Sequence, residues 1–238
     1  MKTNIPEYQQ KVLEGLAGKI DDFCLGGGTA LSIFYFRHRE SEDMDFFSSK
    51  FDKKRIVDVA EQLSQDVKRP VEIIGQQLKK NMVRVMVYSI KFEKKNALKI
   101  DFIEDNHKYI KKPHNVNGIC IMSMEDIYLR KISTVAGFSQ TTDPIGKSKS
   151  IGGRREAKDF CDLYFLSHTF MGLADFAWKH CDNVIRENLI IWFRTYDRME
   201  MKMGLMDLKL KKQIDYRDME KHFKKEIDRL IEREVFFI

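Results

Sequence analysis

Cysteine is scarce in this chain, and no two cysteines stand close together in the sequence. Cys24, Cys120, Cys161 and Cys181 stand far apart with no C-x-x-C among them. The six histidines, His38, His107, His114, His168, His180 and His222, also lack metal-ligand spacing. That pattern excludes a zinc finger or a disulfide-framework domain. Isolated thiols of this kind are usually small buried apolar residues in a reducing compartment, so neither structural zinc nor a disulfide is expected. Long apolar runs are missing too: none reaches the roughly 18 residues that a membrane-spanning helix requires. The opening residues, MKTNIPEYQQKVLEGL, show no cationic-then-apolar signal order. These absences predict a cytoplasmic protein with no membrane partner. There is no internal repeat.

What is present is ordinary for a globular protein. Of the 238 residues, 43% are apolar and 33% charged, enough to bury a real core in one large domain or two small ones. Lys and Arg total 42 against 36 Asp and Glu, a net charge of +6 with much of the surplus after residue 145. A mild basic excess suits an anionic partner without demanding one.

Periodicity divides the chain. Residues 6–18 have helical spacing. FCLGG reads as a buried strand entering a turn, TALSIFYFRH as the following helix, and SEDMDFFS as a short alternating strand. FDKKRIVDVAEQLSQDV is helical through Ile56, Val59, Ala60 and Leu63. VEIIGQQ, MVRVMVYSIKF and ALKIDFIED read as strands, with polar separators that suggest antiparallel hairpins. After residue 122 strand signals end: Ser123 and Asp126 fit a capping box before MEDIYLRKISTVA, a polar segment spans 137–155, and the rest is helical. The fold class expected is α+β, a mixed or antiparallel core over residues 1–120 with a helical region over 121–238.

Chemistry is concentrated in FCLGGGTALSIFYFRHRESEDMDFFSS. Asp43 and Asp45 lie two apart in a strand, so both carboxylates share one face. Carboxylates that close repel unless a cation neutralises them, and magnesium, a hard oxygen-seeking ion, suits the place. Gly26, Gly27 and Gly28 sit between strand and helix, where backbone N–H groups can face a phosphate with the Thr29 hydroxyl as a further donor. The P-loop is excluded because no G-K-[ST] follows, and the dinucleotide fingerprint because residue 31 is Leu31. Asp101 is a third acid, in mid-strand between Ile100 and Phe102. Three carboxylates on adjacent strands can hold two metal ions. Taken singly, each motif also fits a bland role: solvated acids on an edge strand, or a tight turn.

In combination the motifs resemble the AbiEii/AbiGii toxin family, within the DNA polymerase beta-like nucleotidyltransferases. The resemblance rests on Gly27, Gly28, Thr29, Ala30 and Leu31, then Arg39, Ser41, Asp43, Asp45 and Phe46. It continues with Lys131 in EDIYLRKIS and with Lys158, Asp159, Asp162 and Leu163 in AKDFCDLYFL. It covers residues 25–166; residues 167–238 offer no matching motif.

The resemblance implies a magnesium-dependent transfer of a nucleoside monophosphate from an NTP to an acceptor hydroxyl, with pyrophosphate leaving. Asp43, Asp45 and Asp101 would bind two Mg2+ ions. Gly27, Gly28, Thr29, Arg39 and Ser41 would hold the nucleotide, and Lys131, Lys158 and Asp159 would complete the catalytic set. Asp162 would orient a cation or, alternatively, pair with Lys158 on the helix surface. Lys131 and Lys158 lie off the apparent apolar stripes, so both are expected to be replaceable without unfolding. The segment 137–155, with Lys147, Lys149, Arg154 and Arg155, reads as a basic flap. With the basic tail KLKKQIDYRDMEKHFKKEIDRLIER it favours an RNA acceptor, a tRNA 3′ end being the family-based expectation, and a cognate antitoxin is the implied protein partner. A small-molecule nucleotidyltransferase and a non-catalytic RNA-binding module are the alternatives.

Overall fold

The computed structural model of the chain describes residues 7–79, 81–92, 97–137, 139–142, 148–151 and 153–236, the main chain alone at 139–142 and 148–151. Two compact units emerge: Met1–Tyr35 with Ser41–Ser123, and Phe36–Glu40 with Met124–Ile238.

The first unit is built on a seven-stranded sheet. Helix α1 (Glu7–Leu16) buries Gln9, Val12, Leu13 and Leu16, the i, i+3, i+4, i+7 stripe of an amphipathic helix. The strands are β1 (Cys24–Leu25), β2 (Asp43–Ser48), β3 (Val71–Gln77), β4 (Val85–Lys91), β5 (Ala97–Glu104), β6 (His114–Val116) and β7 (Ile119–Ile121). Their order is β3-β4-β5-β2-β1-β7-β6. The hairpins β3–β4 and β4–β5 are antiparallel, as their polar separators suggested, whereas β2 runs parallel to β5 and β1 parallel to β7. The sheet is therefore mixed, with β2 and β5 side by side near its middle.

Alternation assigns the two faces of these strands. Met44, Phe46, Met86, Tyr88, Ile90, Leu98, Ile100 and Phe102 are buried and form one face of the core. Asp43, Asp45, Lys99 and Asp101 lie at the opposite parity and share the other face. Helix α3 (Lys53–Val67) begins where the Asp52 side chain accepts from the N–H groups of Lys54 and Arg55, and buries Ile56, Val59, Ala60 and Leu63. A methyl group on Gly15 of α1 would lie 2.8 Å from Leu63 Cδ1, so the Leu63 side chain would have to shift to admit it.

The absence of a disulfide is corrected. Cys24 and Cys120 face each other across the parallel β1–β7 pair and form one, with Cα atoms 4.5 Å apart. A separation of 96 residues hid this pairing; the register of two short strands creates it. Cys161 and Cys181 are buried free thiols, as expected, and burial pushes both up to about 12.

The helix expected after the glycines is shorter than its apolar run. Helix α2 (Gly27–Ala30) passes into a π-helical turn (Leu31–Tyr35) and stops. Residues 36–40 then form an extended strap in the second unit. Arg37 takes a left-handed conformation with φ 52°, Arg39 bridges to Leu210, and the Glu40 N–H donates to the Lys209 carbonyl at 2.9 Å.

Six helices make up most of the second unit among the described residues: α4 (Met124–Ala136), α5 (Ala157–Thr169), α6 (Leu173–His180), α7 (Asn183–Thr195), α8 (Arg198–Asp207) and α9 (Tyr216–Phe236). Its core is aromatic: Tyr128 stacks on Phe176 at 4.1 Å, and Phe160 meets Phe223 at 4.6 Å. The polar segment after α4, read as lacking strands, carries a two-stranded antiparallel hairpin, β8 (Ser139–Thr142) with β9 (Ser148–Ile151). Lys147 of the basic flap lies outside the described residues, as does the Lys149 side chain.

Candidate active site

In the first unit, β2 and β5 position the acids. Their parallel register sets Asp45 directly beside Asp101 and Asp43 beside Lys99. Asp43 and Asp45 are half-buried, and Asp101 is 8% exposed. The three carboxylates thus come to one small patch of one sheet face, which single-sequence periodicity could place only strand by strand.

The glycine turn lies against that patch. The Gly26 N–H donates to the Asp45 carbonyl at 2.9 Å, fastening the turn to β2. Gly27 has φ +62°, and a Cβ there would lie 2.5 Å from Asp45 Oδ2. Only glycine permits both the left-handed backbone and this closeness of main chain and carboxylate. Thr29, expected as a phosphate donor, is fully buried. Its hydroxyl bonds the Asp43 carbonyl and lies 2.8 Å from Ser41 Oγ, so it ties the turn to the start of β2. Ser41 is drawn into the same network, its carbonyl accepting from Gln9 Nε2 at 2.6 Å.

Lys99 was missed by the sequence reading. Its ammonium donates to Asp101 Oδ2 at 2.7 Å. Burial works against its charge, but the bond and field of Asp101, reinforced by Asp43 and Asp45, overcome burial and raise its pKa. The signal was its position two residues before Asp101 in KIDF, which in a strand means the same face.

Arg39, Lys131, Asp159 and Asp162 come together in the second unit as a buried ion network. Arg39 forks onto Asp162, Nε to Oδ1 at 2.7 Å and Nη2 to Oδ2 at 2.8 Å, and His38 Nε2 lies 2.7 Å from Asp162 Oδ1. The Lys131 ammonium bridges two acids, at 2.7 Å from both Asp159 Oδ1 and Asp162 Oδ2. Arg154 caps the chain from the more open side, Nη2 to Asp159 Oδ1 at 2.8 Å with Nε bonding the other oxygen. Asp159 and Asp162 are three apart on α5, so one helix face carries both.

Several expectations for these residues are corrected. Arg39, expected to hold the nucleotide, is 4% exposed and its guanidinium is held by Asp162. Lys131 is 6% exposed and Asp159 and Asp162 are fully buried, so they do not form a solvated face off the core. Lys158 stands apart from this network; its ammonium lies 3.0 Å from Glu156 Oε2, and the surface pair with Asp162 does not form. A helix bearing buried charges reads as amphipathic with a wet face until the partners from other elements are known.

The network's electrostatics follow from its geometry. Burial pushes the Asp162 carboxyl up, but Lys131 and Arg39 more than offset it and hold it well below the ordinary carboxylate value. Asp159 is likewise held low, burial being overcome by Lys131 and Arg154. Burial holds His38 low despite Asp162, and its Nδ1 is buried without a hydrogen-bond partner, as suits a neutral ring donating through Nε2. Burial also lowers His180 and His222.

The signs give a pH profile. A histidine lowered in the fold contributes stability that is complete above its unfolded value near 6.5 and is lost as pH falls below it. The depressed acids contribute stability that is lost only below about pH 3.8. Urea midpoints should therefore fall between pH 7.5 and 5.5, before any carboxylate is protonated. His38→Gln should flatten that slope. A midpoint constant to pH 5 in the unmodified chain would refute the assignment.

The sequence profile of the family described as nucleotidyl transferase AbiEii toxin, type IV TA system, matches residues 11–233. The chain belongs to this AbiEii family. It is accordingly a nucleotidyltransferase of the toxin type. Among curated proteins none matches it. Solved structures share the fold at low identity. JHP933 from Helicobacter pylori is 16% identical with a TM-score of 0.53, over 97% of both chains. MenT4, a nucleotidyltransferase toxin from Mycobacterium tuberculosis, is 12% identical with a TM-score of 0.55, over 94% of this chain and 82% of that one. The mixed sheet with C-terminal helices is thus the fold expected from sequence. Among the described residues no helix is long and apolar enough to cross a membrane.

Proposed function

We propose that this AbiEii chain uses magnesium at Asp43, Asp45 and Asp101 to transfer a nucleoside monophosphate from an NTP to a hydroxyl of RNA. The observation that carries the reading is the β2–β5 register, which aligns Asp45 with Asp101 and leaves Asp43 on the same face, with Asp45 against the glycine turn. The donor set fits magnesium: three carboxylates, all hard oxygen ligands. Among the described residues no three His, Cys, Asp or Glu side chains form a ready-made metal cage. Magnesium does not need one, because it is commonly held by one or two carboxylates together with substrate phosphates and water. When bound, the ion would neutralise charge on the phosphates and on the attacking oxygen.

The chain's own groups do the rest. The Gly27–Gly28 main chain would take the triphosphate. The acceptor oxygen attacks the α-phosphorus as its proton leaves toward the Asp101 carboxylate; the new P–O bond forms as the bond to the pyrophosphate oxygen breaks. Lys131 and Asp159 act in this reading as a prepaired unit, and Lys158, in the first turn of α5, is the more exposed cation.

Helix α9 supports the choice of RNA. Lys221, Lys224, Lys225 and Arg229 line a surface concavity on it, together with Asp228 and Glu232. The type IV assignment of the family supports a cognate antitoxin as partner. The test is transfer of label from each of the four α-labelled NTPs, with tRNA, total protein and an aminoglycoside as acceptors. Label should enter tRNA, and tRNA affinity should fall at least about tenfold between roughly 50 and 200 mM salt. Label on protein or on the aminoglycoside, with tRNA untouched, would overturn the acceptor.

A further inference from the structure

Three acids on one patch of a sheet face repel one another, and a folded chain that carries them needs a positive charge nearby. Lys99 supplies one. It occupies the register position opposite Asp43, two residues before Asp101 on the same face of β5. Its ammonium is 2.7 Å from Asp101 Oδ2, with the lysine side chain 42% exposed and that of Asp101 12%. The ammonium thus stands on the more open side of the pair, and the acid is the more enclosed partner. A cation arriving at Asp101 must displace or share that oxygen with the ammonium, since both seek the same lone pairs.

We propose that Lys99 is the built-in counter-cation of the acid face, holding Asp101 in the nucleotide-free enzyme and competing there with the divalent ion. The proposal rests on the reading that Asp43, Asp45 and Asp101 bind metal. Its consequence is a bias. Metal alone meets an already neutralised patch and binds weakly. Metal carried by a triphosphate brings extra negative charge, which gives the displaced ammonium a new partner. Lys99 would thus couple metal binding to nucleotide binding, acting as a positioning residue for Asp101.

The experiment counts free Mn2+ by electron paramagnetic resonance in titrations of the full chain without nucleotide. It compares the unmodified chain with Lys99→Met, Lys99→Gln, Lys99→Arg and Asp45→Asn. Removing the ammonium in Lys99→Met or Lys99→Gln should tighten Mn2+ binding roughly fivefold, the scale of one half-exposed charge a few ångströms away. Lys99→Arg, which keeps the charge, should stay near the unmodified value, and Asp45→Asn should weaken binding. Each variant is checked for a cooperative melt, and the Met and Gln variants should gain more melting temperature from Mn2+ than the unmodified chain does. Unmodified binding that is lost in Asp45→Asn but unchanged or weaker in folded Lys99→Met and Lys99→Gln overturns the Lys99 proposal and leaves the metal reading intact. No Mn2+ binding at millimolar concentration in any of them overturns both.

Discussion

Asp45→Asn should abolish nucleotidyl transfer, lowering kcat/KM by at least about 10³-fold, with the fold unchanged. Asp45 stands beside Asp101 in the β2–β5 register and against the Cα of Gly27, where phosphate, metal and attacking oxygen would meet. Asn keeps the shape and one acceptor oxygen but removes the negative charge that holds a divalent ion. Asp45 is half-buried, and its strand is anchored by Met44 and Phe46 on the opposite face, so folding does not depend on the charge. The measurement is single-turnover transfer at saturating Mg2+, with circular dichroism melts in parallel. Transfer within tenfold of the unmodified chain by a folded variant would remove Asp45 from the metal site.

Asp162→Ala should be the most destabilising single change in the second unit, by about 3–5 kcal/mol. The carboxylate is fully buried and neutralises Arg39 and Lys131 together while accepting from His38. Its removal leaves buried cations facing each other with only Asp159 between Lys131 and Arg154. Lys131→Ala belongs to the same class: with Lys131 buried, loss of folding should accompany loss of activity, contrary to the mild surface substitution that its helical position suggested. Lys158→Ala should leave stability nearly unchanged, since its Glu156 pair is half-exposed. Urea denaturation read by tryptophan fluorescence will report on this unit, because Trp192 lies in its aromatic core. A loss below about 1 kcal/mol for Asp162→Ala would show that the network is not an energetic hub.

Local pattern determined a good deal of this protein. The period-two spacing of Asp43 and Asp45, and the mid-strand place of Asp101, defined the face each would occupy, because strand geometry alternates side chains whatever the tertiary context. Polar separators foretold the β3–β4–β5 hairpins, the stripe Ile56–Val59–Ala60–Leu63 foretold α3, and the motif set pointed to the family. Those features depend on contacts within a few residues, which the sequence carries in itself. What only the tertiary structure decided is which distant groups meet. Arg39 lies in the same motif as Asp43, yet its guanidinium is held by Asp162, 123 residues away. Cys24 and Cys120 become partners only because β1 and β7 pair in register. Asp159, Asp162 and Lys131 read as surface charges because a lone buried ion is too costly to assume, and the partners that make burial tolerable come from the strap, α4 and the start of α5. Lys99 was visible two positions from Asp101, but its meaning depends on Asp43 standing opposite it, and that is a matter of strand pairing, which no local pattern encodes.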